Sequence, residues 1–218
     1  ASLHQRINDR LNVFFSGRRS FNSFIEKASG TKFPTVVYDL WTKADYKLDS
    51  RNKLSFNFMM LNDHIRYSKD STVIRKEFFN SSKLNYYAWG NWSCYVNESR
   101  YFTTTLGYQT LNKHADFSFD ESLSSENLDN RATKLVTLKQ DHYWKLNDFH
   151  TLEFGGQANL FSSDYLYREY RLNPTETSDF AVSIDILDVN KKLTGTTLAG
   201  YVQDTYKYSK RLNVLYGF

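Results

Sequence analysis

Residues 35–60, TVVYDLWTKADYKLDSRNKLSFNFMM, change character at every second position. Val36, Tyr38, Leu40, Thr42, Ala44, Tyr46 and Leu48 are apolar or nearly so, while Asp39, Lys43, Asp45 and Lys47 share the intervening positions with Val37 and Trp41. Side chains alternate across a β-strand, so the pattern predicts a strand with one greasy face and one charged face. A slip of one residue in register would exchange the two faces. The same period recurs along the chain and predicts nine strands, near residues 10–18, 35–48, 53–65, 83–96, 100–111, 132–146, 150–161, 196–208 and 211–218.

The connections between these strands alternate in length. Residues 49–52, 97–99, 147–149 and 209–210 read as tight polar turns, and residues 19–34, 66–82, 112–131 and 162–195 as long loops. Soluble sandwiches follow no such rule, and structureless loops of this length are uncommon in compact domains. Outer-membrane barrels do follow it: short periplasmic turns, long extracellular loops and strands with a two-residue period.

The faces agree. On the fourth strand Leu84, Tyr86, Ala88, Gly90, Trp92, Cys94 and Val96 oppose Asn85, Tyr87, Trp89, Asn91, Ser93, Tyr95 and Asn97. On the fifth, Phe102, Thr104, Leu106 and Tyr108 oppose Thr103, Thr105, Gly107 and Gln109. On the seventh, Leu152, Phe154, Gly156, Ala158 and Leu160 oppose Thr151, Glu153, Gly155, Gln157 and Asn159. A polar face of Asn, Gln, Thr and charge suits a watery interior. Rings near the short turns, namely Tyr46, Tyr101, Trp144, Phe149, Tyr206 and Tyr208, predict an aromatic girdle at one membrane interface. The sixth strand breaks the pattern. Gln140 and His142 share a side with Val136, Leu138 and Trp144, so either a bulge resets the phase or they lie near the interface.

Composition narrows the class further. The 218 residues include Tyr 16 and Phe 17, yet charged residues make up 24 %. A helical membrane protein would be more apolar, and no run approaches the roughly 18 residues of a spanning helix. Lys and Arg number 28 against 24 acids, scattered along the chain, so no nucleic-acid footprint is indicated. A single cysteine, Cys94, excludes an internal disulfide and a Cys-based zinc site, and reads as an apolar filler. Prolines occur only at Pro34 and Pro174, which suits long strands. Residues 1–10 are polar, without the apolar centre of a signal peptide.

No motif points to catalysis. His4, His64, His114, His142 and His150 show no metal-ligand spacing, and no nucleophile elbow, phosphate loop or paired-carboxylate signature is present. His114, Asp116 and Ser118 fall in a predicted loop but in no recognised arrangement. The expectation is a non-enzyme with no catalytic residue, metal or cofactor. Asn80, Asn91 and Asn97 begin N-x-S matches that read as chance in a bacterial outer membrane.

Four pieces resemble the barrels of TonB-dependent outer-membrane receptors: SGRRSF (16–21), FPTVVYDLWTKADYKL (33–48), NKLSFNF (52–58) and LAGYVQDTYKYSKRLNVLYGF (198–218). Tyr201, Val202, Gln203, Asp204 and Tyr206 carry the last match, and the first two pieces are similar to versions common in Bacteroidetes-type receptors. The resemblance implies a 22-stranded barrel around an N-terminal plug, importing iron complexes, cobalamin, glycans or peptides with energy delivered through TonB. It implies as partners outer-membrane lipid and lipopolysaccharide, the receptor's own plug domain, the TonB complex acting through that plug, and a surface lipoprotein lid. The location implied is the bacterial outer membrane.

Neither a plug nor a TonB box is visible in the 218 residues. An open nine-stranded sheet would leave two unpaired edges in hydrocarbon. The expectation is therefore all-β: residues 1–218 as a single segment of a transmembrane antiparallel β-barrel, part of a larger barrel of 22 strands. The competing readings are a passive pore or adhesin barrel without TonB coupling, a barrel-embedded enzyme, and a soluble all-β binding domain.

Candidate binding residues follow from the faces. Arg18 and Arg19 read as an anion-binding pair at the outer mouth, or as two interfacial cations. Asp39, Trp41, Lys43, Asp45, Glu153, Gln157 and Asn159 face the lumen, where they touch cargo or plug or form a salt-bridged wall. Tyr165, Tyr167, Tyr170 and Phe180 fall in the longest loop, as an aromatic clasp or as rings that pack the loop on itself.

Overall fold

One local device closes the short turns. Asn8 Oδ1 accepts hydrogen bonds from the backbone N–H groups of Arg10 and Leu11, both at 2.9 Å. Asp49 Oδ1 does the same for Arg51 and Asn52 at 2.7 Å, and Asn147 Oδ1 for Phe149 and His150 at 2.8 Å. Asn97 Oδ1 accepts from Ser99 at 3.0 Å. A short amide or carboxylate side chain stands in for the missing backbone acceptor and reverses the chain in few residues. At Asp49 the Asn52 amide, and then the two backbone N–H groups, hold the carboxyl below the usual carboxylate range. Asn147→Ala removes two such acceptances, and we expect it to lower barrel stability by about 1 kcal/mol. Urea unfolding in lipid vesicles reads this directly; an unmoved midpoint would mean that the Leu146–His150 backbone bond at 3.0 Å holds the turn alone.

The computed structural model describes residues 1–21, 35–70, 76–120, 127–174, 182–209 and 212–217. The turns fold them into ten strands: β1 (Ser2–Arg6), β2 (Leu11–Phe21), β3 (Thr35–Lys47), β4 (Asn52–Asp70), β5 (Lys76–Asn97), β6 (Arg100–Asp120), β7 (Asn127–Lys145), β8 (His150–Pro174), β9 (Val182–Lys207) and β10 (Asn213–Gly217). All lie in one antiparallel sheet in chain order. The sheet is open: among the described residues β1 and β10 are its two edges.

Ten strands replace the nine expected. The additional strand is β1, whose sequence SLHQR offers one apolar side chain, Leu3, and so no alternation. The expected long loops are largely strand as well. β4 and β5 stay paired out to Asp70 and Lys76, β6 and β7 to Phe117 and Asn127, and β8 and β9 to Pro174 and Val182. Alternation reports a contrast between two environments. Where both faces of a hairpin meet water the contrast disappears, although the backbone ladder continues.

The register carries one apolar row around the outer face: Ala44, Phe56, Gly90, Leu106, Leu138, Ala158 and Leu198 are successive cross-strand partners. Phe56, Leu106 and Leu198 are 68 %, 60 % and 79 % exposed, so protein does not cover this belt. Among the described residues the three buried outright, Asn57, Ser81 and Ala115, all lie on the other face, and this closer crowding marks it as the concave one. A soluble sheet would reverse this and bury its apolar face in a core. An exposed apolar convex face calls for lipid.

No bulge interrupts β7: its registers with β6 and β8 run unbroken past Gln140 and His142. His142 instead stacks on Phe154 at 4.8 Å and packs beside Phe102 at 5.7 Å, which meets Trp92 edge-on at 5.5 Å. This line of rings, close to the short turns, is an interfacial girdle, and His142 belongs to it. Tyr46, Trp144 and Tyr206 join it on the outer face, Trp144 beneath Arg100 at 5.1 Å and Tyr206 beside His150 at 4.9 Å. Tyr101 does not. It points inward and stacks on Tyr143 at 4.8 Å, because it lies five positions from outward-facing Leu106 on an unbroken strand, and an odd separation puts it on the opposite face.

Candidate functional site: the inner wall

The inner face has two tiers. In the lower one hydrogen bonds and ion pairs link polar side chains along and across the strands. Asn159 on β8 is a hub: it accepts from Thr137 Oγ1 at 2.8 Å and Gln157 Nε2 at 2.9 Å, and donates to Thr197 Oγ1 at 3.0 Å. Asp141 accepts from the Tyr201 hydroxyl at 2.7 Å and pairs with Lys139 at 2.9 Å. Gln203 donates to Glu153 at 2.7 Å. Across the sheet Asp45 lies between Lys43 at 3.0 Å and Lys53 at 3.5 Å, and Trp41 meets Phe14 edge-on at 5.0 Å. His4, Phe14, Trp41, Lys43 and Asp45 line a hollow of about 410 Å³ there. Mutually satisfied groups make a stiff hydrophilic wall.

The upper tier differs. One register row runs Val37, Asp63, Lys83, Lys113, Arg131, Tyr165 and Lys191. Lys113 and Arg131 share one carboxylate, Asp129, at 2.6 and 2.8 Å. Burial works against the charge on Asp129, but the hydrogen bonds from Arg131 and Lys113 outweigh it and hold its carboxyl below the usual range. The Arg131 guanidinium lies 4.9 Å from the centre of the Tyr165 ring, and Tyr165 stacks on Tyr167 at 6.3 Å. On β6 to β9 the outer face turns polar at Thr110, Lys134, Ser162 and Thr194, so this tier stands beyond the apolar belt.

The expected residues fall as follows. Arg18 and Arg19 do not form a pair. Arg18 points inward, donates from Nε to Asp39 at 2.7 Å and forms an ion pair with it. Arg19 points outward, 5.2 Å from the Tyr38 ring. Neighbouring positions of a strand face opposite ways, which is why adjacency in sequence misleads here. Asp39, Trp41 and Lys43 share the inner face of β3, and Glu153, Gln157 and Asn159 that of β8, with four strands between the two groups. Tyr165 and Tyr167 lie on β8 itself, and the Tyr167 hydroxyl donates to Glu169 at 2.9 Å. Tyr170 falls on the outer parity of the same strand, and Phe180 lies outside the described residues. Sequence reasoning missed Lys83, Lys113, Arg131 and Lys191. Three of them stand in segments read as loops, and only cross-strand register brings all four together. Among the described residues no three His, Cys, Asp or Glu side chains cluster as metal ligands.

No family model matches the chain, and no curated protein sequence does. Solved structures do. The ferric yersiniabactin uptake receptor FyuA from Yersinia pestis superposes with a TM-score of 0.72 at 9 % identity, over 96 % of this chain and 34 % of its own. The ferric citrate transporter FecA gives 0.63 at 9 % identity, over 98 % and 34 %. The outer membrane transporter YddB from Escherichia coli gives 0.62 at 10 % identity, over 99 % and 32 %. The fold is that of a TonB-dependent receptor barrel. The chain spans about a third of the length of these barrel proteins. Within that fold the convex belt corresponds to the wall against lipid and the concave tiers to the wall around the lumen. The narrower likeness to Bacteroidetes-type receptors rests on the sequence pieces alone.

Proposed function

We propose that the chain forms part of the barrel of a TonB-dependent receptor in the bacterial outer membrane, importing a bulky nutrient such as a siderophore, cobalamin, a glycan or a peptide. One observation carries this: an exposed apolar convex face and a polar concave face coexist on a sheet that superposes on FyuA over 96 % of the chain. The lower tier is then lumen wall, satisfied within itself and able to meet a plug domain without reorganising. The upper tier and the extended β8–β9 hairpin rise beyond the belt, where cargo arrives. The partners are lipid and lipopolysaccharide around the belt, the receptor's own plug and, through it, the TonB complex, with a surface lipoprotein lid over the mouth. Chemistry on the cargo has no place in this reading.

Energy dependence is the test. Cells carrying the full-length protein, with and without TonB, are assayed for accumulation of radiolabelled ferric complexes and cobalamin. Accumulation that requires TonB is the expected result. Equal accumulation in both strains, together with steady ion conductance of the purified protein in planar bilayers, would put the passive pore or adhesin barrel ahead.

A further inference from the structure

We propose that the outer wall holds a phosphorylated glycolipid of the outer leaflet at one defined place: Lys134 binds its phosphate, and a hollow just above Lys134 takes the sugar that carries it. This rests on the barrel reading above and gives one of its lipid partners a seat.

A single charge stands at the top of the apolar belt. Met60, Tyr86, Thr110, Lys134, Ser162 and Thr194 are successive cross-strand partners on the outer face, and Lys134 alone among them is charged. It is exposed, and among the described residues it forms no ion pair. Asp164, the outward acid diagonal to it on β8, is engaged by Lys192 at 4.0 Å. A cation at the hydrocarbon boundary calls for an anion at the same depth, and a headgroup phosphate supplies one. Ser162, the direct partner of Lys134 on β8, sets a hydroxyl beside it as a second donor to phosphate oxygen.

Above Lys134 the wall has a hollow of about 370 Å³, of the size of a small-molecule cleft. Its apolar lining includes Ala132 and Leu166, and its polar lining Asn112, Asn130 and Asp164. Asn112 donates an amide N–H to Leu84 O at 3.2 Å, and His114 Nδ1 meets Asn130 Oδ1. The Asn112 oxygen and the Asn130 amide hydrogens are left for a guest. Donors and acceptors beside apolar contacts suit a sugar ring. Ala132 stands two residues beyond Lys134, a step of about 7 Å along the strand, and the four-carbon stem of Lys134 carries its ammonium group towards that rim. Beneath Lys134, Tyr108, Val136 and Leu160 are successive partners and all exposed, a bed for acyl chains. Chains, phosphate and sugar thus find their places along one line of the wall. A glycerol-phosphate headgroup would use Lys134 and leave the hollow empty, and a neutral glycolipid would leave Lys134 unpaired.

The test uses the natural full-length receptor, delipidated in detergent, and native mass spectrometry to follow lipid binding. The probes are diphosphoryl lipid A, its dephosphorylated form and phosphatidylglycerol. The variants are Lys134→Gln, Ala132→Leu, which fills the hollow, and Lys191→Gln, which removes the same charge from the inner face. We expect diphosphoryl lipid A to bind the wild type more tightly than either other probe, and Lys134→Gln to bind it about tenfold more weakly, as for the loss of a charged hydrogen bond. Ala132→Leu also weakens it, and Lys191→Gln leaves it unchanged. Equal affinity in Lys134→Gln and wild type overturns the proposal, as does an equal loss in Lys191→Gln. Phosphatidylglycerol held as tightly as lipid A would make Lys134 an ordinary interfacial cation, and unchanged binding by Ala132→Leu would leave the hollow without a role; either result overturns it too. Any of these outcomes alongside intact TonB-dependent uptake leaves the transport reading in place, whereas loss of the heat-modifiable barrel would remove both.

Discussion

Leu106→Arg prevents assembly of the barrel in the membrane, while Gln109→Arg, three positions along the same strand, is tolerated. Leu106 is 60 % exposed on the convex face, between Gly90 and Leu138 in the middle of the apolar row. An arginine there must enter hydrocarbon at a cost of roughly 2–4 kcal/mol near the midplane. The strands on either side present only apolar side chains or glycine at that level, so no acid is near enough to pair with it. Gln109 stands on the concave face between Tyr87 and Leu135, where an arginine reaches water. Heat-modifiable migration and protease protection after refolding into vesicles distinguish the two variants. Equal assembly would mean that the faces have been exchanged, and every inner-wall residue named above would move to the lipid side with them.

Gly155→Ala is expected to be the most damaging small substitution on the inner wall. A methyl group built at Gly155 would sit 2.5 Å from the backbone oxygen of Gln140, 2.8 Å from Tyr201 Cε1 and 2.9 Å from Asp141 Oδ1. The first neighbour is main chain, which cannot yield without displacing β7. The other two are partners in the hydrogen bond that ties β9 to β7 across β8. Overpacking and loss of that bond together are expected to cost about 2 kcal/mol, within the range for crowded sites. Gly156→Ala is the control. It faces outward, its nearest obstruction is Ala199 O at 3.6 Å, and its stability stays near wild type. Unfolding midpoints of the two variants in urea decide the matter; equal midpoints would show that β7 gives way and that the bond carries little.

Much of the fold was legible in residues 35–60 and 83–111, where lipid on one side and water on the other impose opposite demands on adjacent side chains. The turns were legible too, since Asp49, Asn97 and Asn147 each carry the short side chain that a tight reversal needs. Legibility stopped where one of those conditions failed. β1 is nearly polar throughout. The outer reaches of β4 to β9 meet water on both faces and lose the period, so their sequence does not distinguish strand from loop. Closeness to a turn suggests a girdle position for Tyr101, whereas its odd separation from outward-facing Leu106 along β6 sends it inward.

The candidate site divides along the same line. Taken alone, the chain determines which residues can share a face, because alternation along a strand is a property of the backbone. It therefore placed Asp39, Lys43, Gln157 and Asn159 on the inner wall, and it determined the class of fold through the turn chemistry and the apolar belt. It does not determine which residues of different strands stand side by side. Lys83, Lys113, Arg131 and Lys191 come from four strands and become one row only through hydrogen-bond register, which is settled by the whole sheet at once. Asp129 bridging two cations, Arg18 held by Asp39 and Gly155 beneath the Tyr201–Asp141 bond are likewise contacts between positions distant in sequence. The tertiary structure decided them because the energy of each depends on where a neighbouring strand comes to lie.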